Sequence, residues 1–160
     1  MLRFGPSRKS PKLPMRRCPR LAAILLGALA NLAPAPAPAE AGDLTGTWMT
    51  EHGDAKIRVA PCGPALCGTI VWLAQPNDSA GHPATDVNNP DPAKRARSLI
   101  GLTILTGMKK SGEEWRGRIH NSDDGKDYDL EMALVDEHRA TIKGCVLGGL
   151  FCGGETWTRE

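Results

Sequence analysis

The sequence predicts an all-β protein: an eight-stranded antiparallel up-and-down barrel with one long loop between its third and fourth strands. Three observations predict this fold class. Eight extended segments follow one another after residue 43, the clearest of them alternate apolar and polar residues, and no stretch after residue 41 shows a long helical period. An apolar face without helices to cover it favours closure of the sheet, which removes its unpaired edges. A sandwich of two sheets is the structural alternative.

The predicted strands are best defined where the alternation is strict. Segment 126–134 places Tyr128 and Leu130 on one face and acidic residues on the other. The neighbouring segments, 113–120 and 138–145, carry basic residues on their polar faces. Opposite charges across antiparallel strands stabilise each pair by about 0.2–1 kcal/mol, so these three strands are predicted to form a meander. The other predicted strands are 44–50, 55–61, 65–73, 99–109 and 150–159.

Residues 1–41 predict a cleaved secretory signal with a Pro/Ala stretch, which leaves residues 42–160 as a single barrel domain. Basic residues precede an apolar run at 21–30, and a small-x-small pattern ends at Ala41. An apolar run of this length is too short to cross about 30 Å of hydrocarbon as a helix. The sequence therefore predicts export to the periplasm or the cell exterior, with no transmembrane segment in the mature protein.

The predicted mature chain is mildly acidic. Of the 20 Lys and Arg residues and 18 Asp and Glu residues in the whole sequence, residues 1–41 contain seven and one. The remainder carries 13 basic and 17 acidic residues, a net charge of −4. This charge removes the electrostatic basis for binding nucleic acid or an anionic membrane.

The four cysteines of residues 42–160 predict two disulfides, because an even count is typical of exported chains. In an up-and-down barrel the turns alternate between the two ends. The turn carrying Cys62 and Cys67 then lies at the end opposite the turn carrying Cys145 and Cys152. Pairing across the barrel is therefore excluded, and the predicted bonds are Cys62–Cys67 and Cys145–Cys152.

Two short motifs resemble those of lipocalins. Gly46-Thr-Trp48 begins the first strand, and Arg159 ends the last. In lipocalins a Gly-x-Trp and a late arginine that packs on the tryptophan close the base of the barrel. A resemblance over nearly all of the mature chain is to a bacterial secreted family known as domain of unknown function 2147. It implies a lipocalin-like barrel in the bacterial envelope and carries over no catalytic residue. The matching segments are Gly46–Trp48, Cys62–Gly68, Ile70–Trp72, Asn89–Pro92, Gly101–Leu102, Trp115–Gly117, Asp124–Lys126, Leu150–Cys152 and Thr156–Thr158.

The segment from Ala74 to Ser98 is a loop of a length that is often functional. Alternation of the turns places it at one barrel end, near Asp123, Asp124 and Lys126. Its polar residues predict either a lid that gates a ligand or a plug whose side chains satisfy its own backbone. The candidate lid residues are Asp86, Asn88, Asn89, Asp91, Arg95 and Arg97.

An apolar interior predicts a pocket for a small apolar or amphiphilic ligand, although an eight-stranded barrel can also be filled by side chains. The candidate pocket residues are Trp48, Ile57, Trp72, Trp115, Tyr128, Leu130 and Met132. The direction of Trp72 is ambiguous, because the alternation in the third strand is irregular.

Two other function classes remain open. A filled barrel would favour an interaction module whose loop end binds a protein or an envelope polymer. Hydrolysis is the third hypothesis, with His52 and Asp54 or His82 and Asp86 as general acid and base. Neither a nucleophile motif nor paired metal ligands are recognisable, so the sequence predicts no catalytic residues, no cofactor and no metal.

Overall fold

The computed structural model describes residues 43–146, 149 and 151–160, with Phe151 described by its backbone alone. These residues form a closed barrel of eight antiparallel strands in sequence order, which confirms the predicted fold class. The predicted secretory signal lies outside the described residues. No helix in the described part of the chain is long and apolar enough to cross a membrane. The strands are β1 (Gly46–Met49), β2 (Ala55–Cys62), β3 (Ala65–Leu73), β4 (Thr103–Ser111), β5 (Glu114–Asn121), β6 (Lys126–Leu134), β7 (Arg139–Val146) and β8 (Phe151–Arg159), and one 3-10 turn (Pro92–Lys94) lies between β3 and β4.

The register of β5, β6 and β7 places residues of opposite charge directly opposite each other on the outer face of the sheet. Arg116 lies opposite Glu131, and Glu131 lies opposite Lys143 on its other side. Arg116 approaches Glu131 to 3.4 Å. The predicted meander is therefore present, and its outer face is stabilised by alternating charge.

Strand β4 begins at Thr103, four residues later than the predicted start at residue 99. The preceding residues form a turn in which the Leu102 amide donates to the Leu99 carbonyl and the Leu99 amide to Ala84. Gly101, with φ of 89°, takes a left-handed conformation in this turn. The apolar residues before β4 therefore end the long loop in a turn, and Gly101 and Leu102 exchange backbone hydrogen bonds with Ile70 of β3.

One end of the barrel, the base, is closed by Arg159 and Trp48. The Arg159 guanidinium lies 4.3 Å from the centre of the Trp48 ring. It donates hydrogen bonds to the carbonyls of Thr45, Asp43 and Glu137. The fully buried Trp48 donates its indole N–H to the Leu44 carbonyl at 2.8 Å. The N-terminal segment of the barrel is thereby tied to β8, in the arrangement that the two motifs predict.

We expect Arg159→Ala to lower the free energy of unfolding by about 2–3 kcal/mol, because it removes charged hydrogen bonds and a cation–π contact. Arg159→Lys should give an intermediate loss, since an ammonium cannot reach all three carbonyls. Urea unfolding measures both. The control is Arg139→Ala, which removes an exposed pair with Asp136 worth under about 1 kcal/mol. Equal losses for the two alanine variants would show that the base does not depend on Arg159.

The two cysteine pairs lie at disulfide distance, as predicted: Cys62 with Cys67, and Cys145 with Cys152. The first pair closes the hairpin between β2 and β3. The second joins residues that lie directly opposite each other in β7 and β8. Each bond therefore links neighbouring strands.

The half of the barrel next to the base is filled by side chains. Large apolar residues from most of the strands meet there and are almost completely inaccessible to solvent. Any interior space for a ligand must therefore lie towards the other end. The buried residues of this packed half are Leu44, Trp48, Val59, Leu105, Met108, Trp115, Leu130, Met132 and Ala140.

Candidate functional site

A cavity of about 470 Å³ opens at the end of the barrel opposite the base. We call this the loop end; it carries the connections 50–54, 74–102 and 122–125 and the adjoining ends of β7 and β8. Pockets for small organic molecules have about 300–1,000 Å³, so the cavity is of sufficient size. Its lining includes the large apolar residues Ile57, Ile70, Ile119, Ile142 and Trp157.

The mouth of the cavity is polar. Its acidic residues, Asp54, Asp123 and Glu155, come from a turn after β1, a turn after β5 and strand β8. Tyr128 also lines the cavity and donates its hydroxyl to Asp124, a bond that raises the pKa of the tyrosine. The cavity therefore combines an apolar floor with a hydrogen-bonding rim, which suits an amphiphilic molecule.

Two candidate pocket residues, Ile57 and Tyr128, line this cavity. Four others are buried in the packed half below it and contribute support rather than lining. These four are Trp48, Trp115, Leu130 and Met132.

The expectation that Trp72 points inward is wrong, since its side chain is 41% exposed on the outside of the barrel. Lys56 and Ile57 of β2 pair with Trp72 and Ile70, so Val71 is an extra residue in β3. A bulge of this kind reverses the alternation beyond it, and Val71 and Trp72 both face outward. The Lys56 ammonium lies 5.4 Å from the Trp72 ring centre.

Strand β8 supplies four lining residues that were absent from the candidate pocket set, among them Trp157 and Glu155. Trp157 is buried, and Glu155 lies two positions before it, so both face the interior by the strand period of two. The Trp157 indole N–H donates to Glu155 Oε1 at 2.5 Å. If Trp157 had been predicted to face inward, the strand period of two would also have predicted Glu155 as an inward-facing residue.

The long loop packs around a buried carboxylate, Asp86, whose side chain is 0% exposed. Asp86 Oδ2 accepts hydrogen bonds of 2.7 Å from Arg97 and from the Asn89 amide. Asp86 Oδ1 lies 2.9 Å from His120 Nε2, and the other ring nitrogen of His120 lies 2.8 Å from Asp127. These bonds attach the loop to His120, near the end of β5, and through it to Asp127, near the start of β6.

The remaining candidate lid residues also bond within the loop or to the barrel end. The Asn88 amide donates to the carbonyls of Ser122 and Asp123. Arg95 donates to the Asn89 carbonyl, and Asp91 caps the 3-10 turn. The polar residues of the segment 86–97 therefore stabilise the conformation of the loop itself. None of them is among the residues that line the cavity.

Opposite charges set the ionisation of this network. Burial alone would raise the pKa of Asp86, but hydrogen bonds from His120, Arg97 and Asn89 hold it below its usual value. Burial alone would lower the pKa of His120, but its bonds to Asp86 and Asp127 raise it above its usual value. Folding therefore favours an ionised Asp86 beside a protonated His120.

We expect stability to fall as the pH rises through the folded-state pKa of His120. Because that pKa lies above the unfolded value of about 6.5, the contribution of His120 is complete below this value and is lost at higher pH. Asp86 acts in the opposite sense, with a contribution present above 3.8 and lost in acid. Unfolding free energies at neutral and mildly alkaline pH test this, with His120→Gln expected to flatten the decline. The exposed His138→Gln should retain it, and an unchanged decline in His120→Gln would contradict the assignment.

The proposed acid–base pair of His82 and Asp86 is wrong. Asp86 is held by His120 and Arg97, whereas His82 lies 3.5 Å from Asp78 in a separate turn. Asp54 of the other pair accepts a hydrogen bond from the Thr50 hydroxyl, and the pairing of His52 with Asp54 stays a prediction. Within the described residues, no three His, Cys, Asp or Glu side chains are grouped to hold a metal ion.

A closed antiparallel barrel with a Trp–Arg pair at its base and an apolar cavity at its other end defines a lipocalin-like protein. Residues 46–159 match the family described as "Uncharacterized protein conserved in bacteria (DUF2147)", and the chain belongs to this family. The family resemblance expected from the motifs is thus confirmed.

Among solved structures, the chain is similar to protein HP1028 from the human pathogen Helicobacter pylori, which is described as belonging to the lipocalin family. The TM-score is 0.62 at 21% sequence identity, and the match covers 74% of this chain and 83% of that chain. At this identity the similarity bears on the fold alone. No curated protein matches the chain.

Proposed function

We propose that the protein binds a small apolar or amphiphilic molecule in the cavity at the loop end of its barrel. The observation that carries the proposal is the division of the interior: the half next to the base is packed, and the other half is a cavity of about 470 Å³ with isoleucine and tryptophan walls. Burial of an apolar ligand there contributes about 25 cal/mol per Å² of apolar surface before the costs of association.

We further propose that the protein is exported and works in the bacterial envelope. The two cysteine pairs at disulfide distance support an oxidising compartment. The basic and apolar composition of residues 1–41 supports a secretory signal. The mass of the protein from a periplasmic fraction tests this, since cleavage near residue 41 would leave about 119 residues. A full-length mass there would contradict it.

We expect Ala55→Phe to weaken binding of the neutral fluorescent probe N-phenyl-1-naphthylamine by about tenfold or more. Ala55 lines the cavity, so the added ring occupies the space that the probe needs. Fluorescence titration of the oxidised protein measures the affinity.

The matched control for this experiment is Ala60→Phe. Ala60 lies on the same strand, but its position follows the outward parity of the exposed Arg58. The control should bind the probe as the wild type does. If both variants bind with wild-type affinity, the cavity is not the binding site.

A further inference from the structure

The charges around the cavity are unevenly distributed. The lining includes the carboxylates of Asp54, Asp123 and Glu155, whereas no Lys or Arg is among the described residues that line it. Two histidines lie at this end of the barrel: the ring nitrogens of His120 are directed to Asp86 and Asp127, and His52 of the connection 50–54 acts to lower the pKa of Glu155. The described lining is therefore richer in carboxylates than in basic groups.

Glu155 lies at the junction between the apolar wall and this polar mouth. It shares the inward face of β8 with the buried Trp157, which donates to its Oε1 atom. Burial raises the pKa of Glu155, and the negative charges of Asp54 and Glu51 add to the rise, whereas the Trp157 bond and His52 act against it. A cation beside the ionised Glu155 would offset the negative charge that burial and the neighbouring carboxylates disfavour.

We propose that the ligand is a cationic amphiphile, with an alkyl or aryl body among the isoleucines and a protonated amine or quaternary ammonium head beside Glu155. This inference rests on the proposed function of the cavity and names the chemical class of its occupant. An anionic amphiphile such as a fatty acid would place its carboxylate among like charges. Such an arrangement costs free energy wherever the site excludes water.

Competition against bound N-phenyl-1-naphthylamine tests the proposal with three ligands that share one chain: decyltrimethylammonium, decan-1-ol and decanoate. We expect decyltrimethylammonium to displace the probe at a concentration about tenfold lower than decan-1-ol, and decanoate to be the weakest. The oxidised full chain at neutral pH and low salt is the appropriate sample, because salt screens a charge at the rim.

Glu155→Gln should reduce the ratio between the decan-1-ol and decyltrimethylammonium affinities by about tenfold. The matched control is Glu113→Gln, which removes one negative charge from the exposed β4–β5 turn and should leave the ratio unchanged. If decanoate competes as well as the cation, or if the two variants change the ratio equally, the cationic assignment is overturned while the cavity remains a binding site. If the probe and all three ligands fail to bind, the proposed function itself is overturned.

Discussion

Asp86→Ala is expected to lower the free energy of unfolding by about 3 kcal/mol, the cost typical of breaking a buried charge pair on one side. The carboxylate is fully buried and is the common partner of Arg97, His120 and Asn89. Without it, the Asn89 amide and the Nε2 atom of the largely buried His120 lose their partner, and unpaired buried polar groups are destabilising. Urea unfolding followed by tryptophan fluorescence measures the change.

The control is Asp91→Ala, five residues along the same segment. Asp91 caps the short 3-10 turn and pairs with Lys94 at 3.2 Å, but it is solvent-accessible. Its loss should cost clearly less than the loss of Asp86, because an exposed cap and ion pair are replaced by water. Asp86→Asn, which keeps the shape and loses the charge, should lie between the two. If Asp86→Ala costs no more than Asp91→Ala, the buried network does not hold the loop.

Gly125→Ala is expected to detach the segment 86–97 from the barrel end. Gly125 has φ of 69°, and a Cβ atom there would lie 1.8 Å from the carbonyl oxygen of Asn88. Because the atoms nearest to this Cβ position belong to the backbone of Asn88 and Asn89, the loop must move. The hydrogen bonds from the Asn88 side chain to Ser122 and Asp123 are then lost. We expect a destabilisation of about 3 kcal/mol and faster hydrogen exchange at the Asp86 and Asn89 amides.

Gly112→Ala is the control that separates the effect of a left-handed backbone conformation from the effect of steric overlap with the loop. Gly112 has φ of 66°, nearly the value at Gly125, but a Cβ atom there meets nothing within 4 Å. Only the left-handed backbone penalty of about 1 kcal/mol should remain, and exchange in the segment 86–97 should be unaffected. Equal destabilisation by the two variants would show that the loop is not seated against Gly125.

The strand meander and the base of the barrel were predictable from local sequence. The alternation of β5, β6 and β7 encodes both their inward face and the charge ladder of Arg116, Glu131 and Lys143. The Trp48 and Arg159 motifs encode the closure of the base. In each case the sequence signal is a regular alternation or a short motif, and the corresponding residues lie in the structure as that pattern predicts.

The features that sequence reasoning missed depend on irregular geometry or on distant contacts. One extra residue in β3 turns Trp72 outward, and no composition rule locates such a bulge. His120 meets Asp86 across 34 residues of sequence, through a loop whose path is set by its own hydrogen bonds. The division of the interior into a packed half and a cavity depends on how side-chain volumes sum around a closed barrel, which no single strand reveals.

The central claim is that the cavity at the loop end holds a small apolar or amphiphilic molecule. Native mass spectrometry of the protein purified from the bacterium that makes it tests this directly, with extraction and identification of any bound compound. We predict a stoichiometric adduct with an apolar body, absent from the Ala55→Phe variant prepared in the same way. A bare protein mass that stays unchanged after exposure to envelope lipid extract would contradict the claim, and would favour a barrel that acts through contacts at its surface.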